Sequence, residues 1–273
     1  MKKTILLPLL MVGLLSLTGC GEGYGDFALV EDSQDAQSTF EDVKTKNTQI
    51  DTMSGFEVAA DINGSVTTDT SEELAIATKA TTRIGSEDTR FVSDTIIESD
   101  YGSLSTYIRY DAEKNAYFDY IKLDFSYDNA GTTISSKKNM LVEDDSYDPS
   151  VNYDDSKIAT IILNQYGDSL HALASLDYSE DVNVYTSSNG YYKFETTEQG
   201  NLQTIIFDEN GYPVELDINQ DKIAIVEKLN YDVKFDNVAT DEYEKRDLNY
   251  QMEFATAMMS FISLSLGGLL DIA

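Results

Sequence analysis

The chain of 273 residues has no tryptophan, one cysteine, one histidine and three prolines, and it sets 19 lysines and arginines against 49 aspartates and glutamates. Each shortage removes a class of chemistry. With Cys20 alone, no disulfide can close inside the chain, so packing has to carry stability. A zinc site needs several imidazole or thiolate ligands, and His171 and Cys20 are the entire supply. A Ser-His-Asp arrangement needs a positioned nucleophile, and no G-x-S-x-G turn occurs. His171 lies beside Leu170 and close to Leu173 in a stretch of helical spacing, where it reads as a packed helix residue. The formal charge of −30 argues against nucleic acid and against adhesion to anionic headgroups. Carboxylates abound, yet nothing in their spacing selects the pair that glycoside hydrolysis needs. The runs Glu143, Asp144, Asp145, Asp148 and Asp208, Glu209, Asn210 lack the ligand alternation of an EF-hand loop and read as solvated loops. The expectation is a chain that is not an enzyme and uses no metal and no cofactor.

What is present begins at the N-terminus. Lys2 and Lys3 precede an apolar run from Ile5 to Leu17 broken by Pro8, followed by small residues, which is the layout of a signal peptide over residues 1–19. The run is shorter than the ~20 residues needed to span a bilayer. Leu17-Thr18-Gly19-Cys20 resembles the lipobox of bacterial lipoproteins. That resemblance implies a diacylglycerol on the Cys20 sulfur, cleavage before Cys20, and a lipid-anchored place on the extracytoplasmic face of the cell membrane. Two acyl chains, at about 0.8 kcal/mol per buried methylene, suffice for stable anchoring. Residues 20–37 then form the lipidated cysteine and a flexible tether, because GEGYGDFALVEDSQDA shows neither a helical nor an alternating apolar period.

From residue 38 the pattern strengthens, and residues 38–273 read as a single α+β domain. Phe40, Val43, Asn47, Ile50 and Met53 fall at helical steps, so 38–53 is predicted to be an amphipathic helix ended by Ser54-Gly55. The period then becomes two. Phe56, Val58, Ala60 and Ile62, then Leu74, Ile76, Thr78, Ala80, Thr82 and Ile84, alternate with mostly polar neighbours, and further strands are predicted at 90–97, 103–110 and 116–127. Gly85 to Asp88 and Ala112 to Asn115 read as turns, while Asn63-Gly64 is either a hairpin or a bulge. An acidic loop over 143–156 leads into a helix over 157–174. Strands follow at 182–185, 191–196, 202–207, 214–218 and 223–235, with Asn189-Gly190 and Asn210-Gly211 as hairpin turns. Tyr107, Tyr110, Tyr117, Tyr120, Tyr191 and Tyr192 lie on these strands, where an apolar body and a polar tip suit a cavity lining, a protein-binding face or a half-exposed sheet equally.

The last 20 residues carry one charge, Asp271. A helix over about 252–266 is predicted to fold back on the sheet and cover it, burying several of Phe254, Met258, Met259, Phe261, Ile262, Leu266 and Leu269, with Gly267-Gly268 as its stop.

Helix and meander occur twice, which predicts a large curved antiparallel sheet with helices on one face; two packed subdomains are the alternative. This order is similar to that of the lipid-handling lipoproteins that include LolA, LolB, LppX and LprG. The resemblance is one of topology over about 38–250. It implies a half-barrel with the helices on its concave face, in a non-catalytic, membrane-anchored lipoprotein that binds an apolar or lipid ligand within a bent sheet, and it assigns no ligand-binding residue. The alternative is an acidic cell-surface interaction module with a packed core, met by an envelope protein partner.

Overall fold

The computed structural model describes residues 23–50, 52–67, 73–129, 132–174, 176–179, 181–198, 201–220 and 222–266. The signal peptide, Leu17, Thr18, Gly19, Cys20, Gly267-Gly268, Leu269 and Asp271 lie outside them. The fold class is α+β. Among the described residues a single antiparallel sheet holds twelve strands: β1 Phe27–Leu29, β2 Gly55–Thr67, β3 Glu73–Glu87, β4 Arg90–Ser99, β5 Gly102–Asp111, β6 Ala116–Asn129, β7 Thr132–Asp144, β8 Val182–Ser187, β9 Tyr192–Glu198, β10 Asn201–Phe207, β11 Pro213–Gln220 and β12 Ile223–Asn230. Their spatial order is β1-β8-β9-β10-β11-β12-β2-β3-β4-β5-β6-β7. The two meanders therefore join through β12 and β2 into one sheet, paired continuously from Ile223↔Gly64 to Asn230↔Glu57.

Local chemistry sets most of these elements. Asn189-Gly190 and Asn210-Gly211 do turn the chain, each glycine at a φ of 84°. Asn63-Gly64 is neither a hairpin nor a register shift, since β2 pairs with β3 without interruption through it. Glycine is required there because a Cβ would lie 2.1 Å from the Lys222 carbonyl oxygen of the neighbouring strand. Gly85, Ser86 and Glu87 belong to β3, and the turn sits one step later at Asp88-Thr89, with both residues at positive φ (47° and 63°). That is the two-residue turn whose twist matches paired strands.

Three strand predictions fail for one reason, which is that the elements lie at the margin of the sheet or leave it. β7 was not predicted: its Ser135-Ser136-Lys137-Lys138-Asn139 centre has no apolar alternation, as befits an edge strand protected by lysine. β1 and the first turn of the first helix fall inside the expected tether, and β1 forms by pairing with β8 at the margin of the sheet. Residues 231–235 leave the sheet instead of continuing β12.

All three helices cover one face of the sheet. Helix α1 (Ser33–Asn47) starts earlier than its apolar pattern because Asp32 caps it, accepting from the Gln34 and Asp35 amides. Its Ala36, Phe40 and Val43 pack on Val184, Phe194 and Phe207. Ile50 and Met53 are buried beyond its end, after the fully buried Asn47 has donated to the carbonyls of Leu170 (2.5 Å) and Gly211 (3.1 Å). Helix α2 (Asp155–Leu170), capped by Asp154, buries Ile158, Ile162, Tyr166 and Leu170 against Phe56, Val58, Ile84 and Leu216. Helix α3 (Leu248–Ser265), capped by Asp247, buries Phe254 and Phe261 against Leu104, Leu123, Phe125 and Met140. The predicted fold-back thus occurs, although Met259 points outward and stays 58 % exposed. Thr256 and Ser260 of α3 donate back to the helix carbonyls of Met252 and Thr256.

The opposite face is crossed by a strap, residues 231–247. Val233 passes Gly55, and Phe235 passes Gly85, where a Cβ would come within 3.0 Å of the ring. Asp236 meets Arg83 and Arg109, Tyr243 packs edge-on against Tyr120 at 5.4 Å, and the Leu141 amide donates to the Glu244 carbonyl at 3.0 Å. The strap so caps part of the β7 edge before α3 returns on the helical face.

Candidate functional site

The ladder registers define what lies between α2 and α3. One row across the helical face runs Glu227, Ala60, Ala80, Ile97, Leu104; the next runs Leu229, Val58, Thr82, Thr95, Thr106, Ile121. A third contains Ser93, Ile108 and Asp119. On β4, β5 and β6 the side chains of Ser93, Thr95, Ile97, Thr106, Ile108 and Ile121 are only half-buried. Their backbones pair on both sides, so this exposure belongs to side chains on the helical face. The result is an open strip of three isoleucines and three hydroxyls.

Inward from Ile97 the row continues through Ala80, Ala60 and Glu227, all covered by protein, with Glu227 2 % exposed. At about 4.8 Å per strand, three steps give about 14 Å from Ile97 to Glu227. Tyr166 stands over this row from α2. At the other side the α3 terminus is fastened down, with Thr78 Oγ1 donating to the Ser265 carbonyl and the Ser99 and Ser265 hydroxyls 2.8 Å apart.

The electrostatics of the row are unusual. Glu227 Oε2 has no hydrogen-bond partner, and burial pushes its carboxyl up to about 8, with no neighbouring charge to oppose it. The Tyr166 hydroxyl stands beside Thr82 but is not aligned for a well-formed hydrogen bond; burial, with the Glu227 charge adding to it, pushes it up to about 12. At the outer end Asp119 is pushed up to about 6, first by burial and then by Asp144. Its Oδ1 is also unpartnered.

A second concavity, a cleft of about 390 Å³, opens where α1 ends and α2 begins, walled by Thr52, Met53, Asp155, Tyr212 and Tyr231. Its Asp208 is committed to the turn, accepting from the amides of Asn210 and Tyr212 at 2.9 Å each. The Tyr231 hydroxyl donates to the Pro213 carbonyl and that of Tyr212 to the Thr52 carbonyl, so the polar tips here are satisfied.

The residues singled out from sequence scatter. His171 caps the end of α2, with Nε2 3.1 Å from the Ile50 carbonyl oxygen. Asp144 and Asp148 hold turns through the amides of Ser146 and Ser150, and Glu143 pairs with Lys245. Among the described residues no three His, Cys, Asp or Glu side chains gather as a metal site. Tyr110, Tyr117 and Tyr192 lie on the helical face; Tyr107 and Tyr120 lie under the strap; Tyr191 precedes β9 and packs on Tyr24 at 5.0 Å. Glu227, Thr82, Thr95 and Asp119 were not foreseen as a site. One signal was available: Ile223, Ile225, Glu227 and Leu229 alternate, which places an acid at a core position.

No family model matches the chain, and no curated protein matches it. Among solved structures it is similar to LprF from Mycobacterium bovis, at 11 % identity and a TM-score of 0.34, covering 75 % of this chain and 97 % of that one. It is also similar to the lipoprotein LppX of Mycobacterium tuberculosis (7 % identity, TM-score 0.29, 74 % and 99 % covered). A DUF1329 family protein from Desulfovibrio piger follows at 10 % identity and 0.23, with 74 % and 95 % covered. Likeness at this level assigns neither a site nor a ligand.

Proposed function

We propose that the chain is an envelope lipoprotein, anchored through a diacylglycerol on Cys20, that holds an apolar ligand against the helical face of its sheet without chemical turnover. The observation that carries the binding role is the half-open strip Ile97, Ile108 and Ile121, left between the cluster under α2 and the clusters under α3. Apolar side chains left partly bare inside a covered face gain from any apolar molecule laid across them, at about 25 cal/mol per Å². The anchor rests on Leu17-Thr18-Gly19-Cys20 and on the solitude of that cysteine. Among the described residues no helix is long and apolar enough to cross a membrane. An acidic body repelled by anionic headgroups then stands off the surface on the chain that follows Cys20.

Native mass spectrometry of the chain extracted from bacterial membranes tests both parts. The expected spectrum shows a covalent diacylglycerol-sized increment, absent in Cys20→Ala, and a separate noncovalent apolar ligand. A chain carrying neither increment overturns the proposal.

A second reading, an interaction module, draws on the outward side of α3, where Leu248, Met252 and Met259 are 70 %, 63 % and 58 % exposed. Retention of a partner protein that is lost when this stripe is made polar, with no noncovalent lipid on the chain, is the outcome that reading requires.

A further inference from the structure

Resting on the Cys20 anchor proposed above, we infer that the body is held by a tether too short to let it range, with one end of its sheet, the β8–β9 and β10–β11 turns, set against zwitterionic lipid headgroups. The chain packs on the body from residue 23 onward, well before the end of the stretch that reads as a tether. Asn189 donates through Nδ2 to the Gly23 carbonyl, and the Tyr24 hydroxyl donates to Glu215 Oε2 at 3.2 Å. The Tyr24 ring meets Tyr191 edge-on at 5.0 Å. Gly25, at a φ of 74°, runs so close to the β8–β9 turn that a Cβ there would lie 2.8 Å from Ser188 Oγ. Phe27 then pairs with Ser187. Between Cys20 and Gly23 the sequence has only Gly21 and Glu22, so three residue steps, about 11 Å at full extension, join the acylated residue to this turn. The headgroup layer is itself about 5–8 Å deep on each side of a bilayer, so the turn stays beside it.

The chemistry of this end fits that neighbour. From Val182 to Tyr192 no residue is charged, in a chain whose formal charge is −30. Tyr24 and Tyr191 are half-buried there, and a ring with an apolar body and a polar tip suits the boundary between lipid and water. The β10–β11 turn adjoins the first, since a Cβ at Gly190 would lie 3.7 Å from the Glu209 Cβ. Its acids Asp208 and Glu209, together with Asp26, are repelled by an anionic headgroup and attracted by the outer ammonium group of a zwitterionic one. The lysines beside these turns, Lys193 and Lys46, already pair with Glu195 at 2.7 Å and Asp42 at 2.9 Å.

Fluorescence quenching tests the placement, and acylation of Cys20 leaves an introduced thiol as the only one to label. The full lipidated chain carrying Glu209→Cys or Asp100→Cys is labelled with a maleimide dye and reconstituted in phosphatidylcholine vesicles that contain a lipid with a nitroxide headgroup. Asp100 is exposed in the β4–β5 turn at the opposite end of the sheet, and β4 lies seven strand steps from β8, about 34 Å. The expected result is loss of fluorescence at position 209 and little loss at position 100. Inserting about twelve Gly and Ser residues between Gly21 and Glu22, a flexible reach of about 19 Å, should restore part of the fluorescence at position 209. Equal quenching at the two positions, or quenching at 209 that the insertion leaves unchanged, overturns the short-tether placement, while a diacylglycerol-sized increment in the mass of the same protein keeps the anchor. A chain without that increment fails the anchor reading, and the placement fails with it.

Discussion

The two faces of the sheet each bury an acid, and they treat it oppositely. On the strap face Asp94 is 1 % exposed and Arg109 reaches it at 2.6 Å, while Arg109 also donates to the carbonyls of Ser93, Ile108 and Asp236. Burial still raises the Asp94 carboxyl, but Arg109 opposes the rise. Arg83 repeats the device at Glu57, 2.5 Å, and Asp236, 3.1 Å, so the strap is stitched to the sheet by charge. On the helical face Glu227 is as deeply buried, its Oε2 has no partner and no cation opposes its rise. Both Asp94 oxygens also lack a well-formed hydrogen bond, so the ion pair with Arg109 is what distinguishes the two acids. A buried charge beside a cation is stable as long as the cation stays, whereas one without a cation weakens the fold whenever it ionises.

The largest expected effect comes from breaking the pair on the strap face. Arg109→Met leaves Asp94 buried without its ion-pair partner and should cost about 3–5 kcal/mol of stability in urea denaturation. Adding Asp94→Asn should recover part of that loss, because the orphaned charge is then gone. Equal loss in the single and the double variant would mean that the pair does not carry the strap.

The next effect tests the helical face through pH. Glu227 titrates near 8 when folded and at the ordinary 4.5 when unfolded. Between these values the folded chain keeps a proton that the unfolded chain has released, so stability from this group is full below 4.5 and is lost as pH rises towards 8. The loss is on the order of a few kcal/mol. Asp119, raised to about 6, contributes in the same direction over a lower window. Glu227→Gln should reduce the dependence above about pH 6. A variant whose urea midpoint falls with pH as steeply as that of the unaltered chain would show that Glu227 is not the titrating group.

The smallest effect separates the faces by packing alone. Gly85→Val pushes side-chain atoms into the Phe235 ring and should cost about 1–3 kcal/mol. Limited proteolysis should then cut within 231–247 while α2, Asp155–Leu170, on the other face stays protected. Coupled loss of both would mean that the faces do not act separately.

Much of the sheet was legible because alternation and turn chemistry are local. Phe56 to Ile62, Ile76 to Ile84, Asn189-Gly190 and Asn210-Gly211 each specify their conformation within a few residues, and the helices around Phe40, Ile158 and Phe254 announce an apolar stripe. The alternation even encodes that Glu227 points inward. Sequence could not reveal that β7 is a strand, since an edge strand is stabilised by its partner rather than by a buried face of its own. Nor could it reveal the strap, whose Val233 and Phe235 read as more strand until Gly55 and Gly85, some 150 residues away in the chain, are seen to leave room for them.

By itself, then, the sequence determined which residues face which side of each strand, where the chain turns, and that a lone cysteine follows an apolar leader. Only the tertiary structure decided what lies over each face. Register brings Ala60 and Ala80 between Ile97 and Glu227, helix placement leaves the strip over β4 to β6 half open, and the pairing of β4 with β5 brings Arg109 to Asp94 while no cation reaches Glu227. Partnership of a buried charge depends on which strand is paired beside it and in what register, and a period of two or of 3.6 carries no information about that.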